Sequence, residues 1–135
     1  MRLDGWETHL CAAIETSQGK QYVLGKNDCL RLACAAVEAL TGADYWPRFA
    51  GYKTKRQALV KIAKLGPSLA DAVTATLGVQ PSGTLSAQRG DLLLYRDEDD
   101  HLGVCVGRDV VLTAPEGTIT VPIDDARLLC SWRIG

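Results

Sequence analysis

Apolar residues recur at Leu3, Trp6, Leu10, Ala13 and Ile14, a spacing near 3.6 that predicts an amphipathic helix ending before Gly19. The same period returns in "DCLRLACAAVEAL" through Leu30, Ala33, Val37 and Leu40, with Gly42 as the stop and small residues that allow close packing. A third helix is expected over Lys55 to Leu65, stopped by Gly66-Pro67, and a short fourth over Ser68 to Leu77, closed by Gly78. "VQPSGTLSAQRG" reads as a turn-rich connector, and after Gly90 the period changes. "DLLLY", "HLGVCVG", "DVVLTA", "TITVPI" and "LLCSWRI" are short apolar runs parted by acidic, Gly- or Pro-containing turns, the pattern of an antiparallel meander. Helices first and strands afterwards predict an α+β domain, with N-terminal helices packed on a C-terminal antiparallel sheet.

Composition adds bounds to this picture. The chain has 135 residues, 47% of them hydrophobic and 23% charged, which suits one soluble globular domain over residues 1–135. Fifteen basic and 16 acidic residues leave a net charge of −1, so no overall field points to nucleic acid or to an anionic membrane. No apolar run approaches the roughly 20 residues that span a bilayer, and the charged start "MRLDGWETHLCAAIETS" is not a signal peptide. Synthesis and folding in the cytoplasm, without membrane insertion, is the expectation. Arg48, Lys53, Lys55, Arg56, Lys61 and Lys64 form an acid-free basic stretch, and "DEDD" at 97–100 is its opposite pole; both read first as solvated surface.

Five cysteines, at 11, 29, 34, 105 and 130, lack paired CxxC spacing, so neither a metal site nor a disulfide framework is expected, and most read as reduced core residues. Cys29 stands apart. It follows Asn27-Asp28 at the start of the second helix, where unpaired N–H groups and the macrodipole favour a thiolate. A reactive thiol needs a base, and there are two histidines. His9 lies within the first helix as a surface or packing residue, whereas His101 opens a strand from which it can reach a helix N-terminus. Cys105, four residues beyond His101, falls on the same strand face and is the rival nucleophile.

Taken together, "QYVLGKNDCLRLACAAVEALTG", "RGDLLLY" and "HLGVCVG" followed by "VVLTA" resemble the motif order of the NlpC-type cell-wall endopeptidases, a compact branch of the papain-like fold. The ending "TITVPIDDARLLCSWRIG" is similar to small NlpC-like proteins of phage and prophage tails. The resemblance implies Cys29 as nucleophile, His101 as general base and then acid, and Tyr22 beside the reacting carbonyl, where it helps hold the oxyanion. Asp28 matches the acidic residue before the cysteine, which the resemblance groups with Tyr22 on the oxyanion and substrate-binding side, and it also reads as an N-cap. Thr113 falls where the family places a polar residue, often a second histidine, that orients the base; its hydroxyl can accept a hydrogen bond but carries no charge, and the acids at 97–100 either favour the imidazolium of His101 or form only a solvated turn. Gly90 and Asp91 read as the structural turn that launches the central hairpin.

The function so implied is a cysteine endopeptidase of a phage or prophage tail tip. It would cut the peptide stem of peptidoglycan after a γ-D-glutamyl residue, without metal or cofactor, and would lie among tail-tip or hub proteins in the virion. Mechanical delivery to the cell wall would replace a signal peptide. Fold does not fix function, so a non-catalytic tail-tip or hub component with the same fold is the alternative. An acyltransferase or amidase acting on a small cellular substrate would use the same residues.

Overall fold

A computed structural model of the protein describes residues 1–115 and 117–135. Five helices come first: α1 (Trp6–Gln18), α2 (Cys29–Thr41), α3 (Trp46–Phe49), α4 (Lys55–Ala63) and α5 (Leu69–Leu77). Strands β1 (Leu92–Arg96), β2 (Asp100–Cys105), β3 (Asp109–Ala114), β4 (Gly117–Pro122) and β5 (Leu128–Trp132) follow a short 3₁₀ turn at Thr84–Ser86. The molecule is thus an α+β domain whose helices precede a five-stranded antiparallel sheet.

The caps explain the helix limits. Asp28, Thr54 and Ser68 each accept a hydrogen bond from a backbone N–H three residues on, which starts α2, α4 and α5. At the far end of α2, Gly42 takes a φ of 82°, which a Cβ would disfavour. The expected helices all form, although α4 stops at Ala63 rather than Leu65. The single-turn α3 was not anticipated; Pro47 sits in its first turn, where a missing N–H costs nothing.

The sheet departs from the expected meander. β1 to β4 follow one another, but β5 returns to the far side of β1, giving the order β4-β3-β2-β1-β5. Its outer edge is tied to the connector by paired bonds between Ser82 and Ser131. Both faces of the sheet are buried, which explains continuous runs such as "DLLLY". Leu92, Leu94, Leu102 and Val104 meet the helices, while Leu93, Tyr95, Cys105 and Val110 form a second apolar layer on the opposite face. Helix α2 lies on the first face, where small Ala33, Cys34 and Ala36 let it come close.

Candidate functional site

The stretch "GKNDC" builds the start of α2 residue by residue. Gly25 has a φ of 83°, and a Cβ there would lie 2.0 Å from the Tyr52 carbonyl oxygen, so glycine alone lets the loop pack against that segment. Asn27 is buried, and its amide donates to the carbonyls of Lys20 and Gln21 at 3.2 and 3.1 Å. Val23 and Asn27 exchange backbone bonds and close the tight loop that follows Tyr22. The Asp28 carboxylate accepts from Arg31 N at 2.9 Å, from Gly25 N at 2.8 Å and from the Tyr52 hydroxyl. That corrects a substrate-binding role for Asp28: its oxygens are committed to the fold.

Cys29 is the first residue of α2, as expected. Its thiol differs from expectation. Burial pushes it up to about 11, outweighing the N–H groups of Leu102, Cys29 and Leu30, which favour the thiolate, while Asp28 adds to the rise. At rest the sulfur therefore keeps its proton. Tyr22 stands nearby, its hydroxyl also pushed up by burial and then by Cys29 and Asp28.

Cys29, Tyr22 and His101 border one cavity of about 820 Å³. Ala58, Leu59, Ile62 and Leu69 supply an apolar wall from α4 and α5, and the β1–β2 turn supplies a charged one. An exposed ion pair between Lys55 and Asp99, 2.5 Å apart, links the two walls. β2 pairs with β1 at Tyr95–His101, one step from the Arg96–Asp100 pair that ends the ladder. As the second residue of β2, His101 borders the cavity from the end of the sheet. Its Nε2 lies 3.2 Å from Asp97 Oδ1, and its ring centroid is 6.2 Å from that of Tyr95. Among the described residues it makes no hydrogen bond to Cys29.

Thr113 requires a correction. It is buried on the helix side of β3, where its hydroxyl lies 3.4 Å from Ser17 Oγ, and the side chain that engages His101 is Asp97. The physical reason is reach: Asp97 lies in the turn that leads directly into His101, whereas among the described residues β3 pairs with β2 at Val104–Val111 and Cys105–Val110, away from His101. The cysteine reading also needs revision in part. All five are free, but Cys11 is exposed, Cys29 and Cys130 are partly buried, and only Cys34 and Cys105 belong to the core. His9 is exposed on α1.

Sequence reasoning passed over Tyr52 and gave Asn27 no bonding role of its own, whereas Asp97 belongs to the acidic turn at 97–100 already weighed as a partner of His101. Asn27 carried a usable signal, since a polar residue ahead of an N-cap often pins a turn. Tyr52 carried none, because only folding brings it to Asp28. Among the described residues no cluster of His, Cys, Asp or Glu is arranged to hold a metal ion. Fold and site together define a small α+β domain with a thiol and an imidazole on a single open cavity. The chain belongs to the family described as Domain of unknown function (DUF6950), which matches residues 1–134. No curated protein matches it.

Proposed function

We propose that the protein is a cysteine peptidase of papain-like, NlpC type that cuts peptidoglycan stem peptides from a phage or prophage tail tip. The observation that carries the reading is the shared border of one 820 Å³ cavity by Cys29, at the first position of a helix, and by His101. Peptidoglycan and the tail setting rest on the resemblance of the motifs alone.

In this mechanism the Cys29 sulfur attacks the peptide carbonyl as His101 takes the thiol proton. A thiol near 11 is only sparsely ionised at neutral pH, so proton transfer accompanies attack instead of preceding it. The oxyanion faces the N–H groups of Cys29 and Leu30 at the start of α2, with the Tyr22 hydroxyl alongside. The imidazolium then protonates the leaving amine, and a water activated by His101 hydrolyses the thioester. No metal or cofactor takes part.

Fragment release from purified cell walls tests this. The protein should generate new amino termini, while folded Cys29→Ala and His101→Ala variants should remain at background. Equal release by Cys29→Ala would remove the peptidase reading. A second reading, a non-catalytic tail-tip component, draws support from the protonated resting thiol and from the His101 ring being engaged by Asp97. It predicts that deletion of the gene abolishes virion assembly while Cys29→Ala leaves assembly and infection intact.

A further inference from the structure

We infer that Asp97 is the positioning residue for His101, a role that rests on the peptidase reading only for its catalytic consequence. The β1–β2 register pairs Arg96 with Asp100 at the end of the ladder and leaves 97–99 as the turn. Asp97 Oδ1 accepts the Asp99 N–H at 3.1 Å and lies 3.2 Å from His101 Nε2. One carboxylate oxygen thus shapes the turn and holds the ring.

The chemistry fixes the tautomer. A carboxylate oxygen only accepts, so Nε2 carries the hydrogen and Nδ1 keeps its lone pair. Nδ1 is then the one nitrogen able to receive a proton from a thiol, and an imidazolium formed there remains bonded to an anion. The Asp97 carboxyl is held below its usual value, first by the Asp99 N–H and then by His101, so it stays charged through the working pH range. The other charged or titratable groups around the ring are Tyr95 on β1, Arg127 stacked over Tyr95 at 4.9 Å, the Arg96–Asp100 pair, Glu98, the Lys55–Asp99 pair, and Cys29 with Asp28 at α2. Arg96, Asp100, Lys55 and Asp99 are already paired, which leaves Asp97 as the anion in contact with the imidazole.

The experiment uses the whole protein with Asp97→Asn and Asp97→Ala. Long-range ¹H–¹⁵N NMR should show His101 with hydrogen on Nε2 in the parent and a mixture of tautomers in Asp97→Ala. This readout is independent of turnover, so it separates failure of the positioning role from failure of the peptidase reading. For wall hydrolysis, Asp97→Asn keeps shape but removes charge, and should lower kcat by about tenfold or more. A return of activity in Asp97→Glu would add support. An unchanged tautomer in Asp97→Ala would overturn the inference. So would an unchanged rate in Asp97→Asn alongside a loss in Thr113→Val.

Discussion

At Cys29 two effects of opposite sign meet. The start of α2 favours a thiolate, and burial beneath β2 favours the thiol; burial wins, and the thiol sits near 11. Its position at a helix start was legible, because Asn-Asp-Cys ahead of an apolar 3.6 period is a local signal. Its desolvation was not, since that depends on where β2 docks. The alkylation order follows. With limiting iodoacetamide at neutral pH, exposed Cys11 should label ahead of Cys29, and the Cys29 rate should climb about tenfold per pH unit toward 11. Peptide mapping by mass spectrometry checks both points, and a Cys29 rate already level between pH 7 and 9 would contradict them. Thr113 illustrates the same boundary: an assignment by motif position was possible, but the partner of His101 is decided by a turn.

Among the elements, the loop between α1 and α2 carries the most specific construction. Asp28 caps α2, holds Gly25 and receives the buried Tyr52 hydroxyl. Asp28→Ala removes a cap, about 1 kcal/mol, and strands the Tyr52 hydroxyl, about 1–3 kcal/mol. The expected loss of stability is therefore about 2–4 kcal/mol. Tyr52→Phe keeps the cap and should cost less, about 1–3 kcal/mol. Urea unfolding of both singles and the double variant should show the two losses to be coupled. The helices were readable because period and caps are written locally. The place of β5 was not: "TITVPI" and "LLCSWRI" look like consecutive hairpin strands, and their separation across the sheet arises from long-range pairing with β1 and with Ser82.

For the whole molecule, Asp91 joins the ends of the chain. It is buried, binds Arg2 at 3.0 Å, and accepts the N–H groups of Gln88 and Ile134 at 2.9 and 3.0 Å. Read from the sequence as part of a turn, it also locks the N-terminal segment to the end of β5. Asp91→Ala leaves the largely buried Arg2 without its carboxylate and should cost about 3–5 kcal/mol. A thermal unfolding midpoint within a degree of the parent would contradict that.

The central claim is that Cys29 becomes acylated by a peptide in the cavity it shares with His101. The most direct measurement is rapid acid quenching of the protein during turnover of purified stem peptide, followed by mass analysis of its fragments. The account predicts a thioester on Cys29 that appears and decays with turnover and is lost in His101→Ala. Turnover with Cys29 unmodified at every time point, and undiminished in Cys29→Ala, would contradict it.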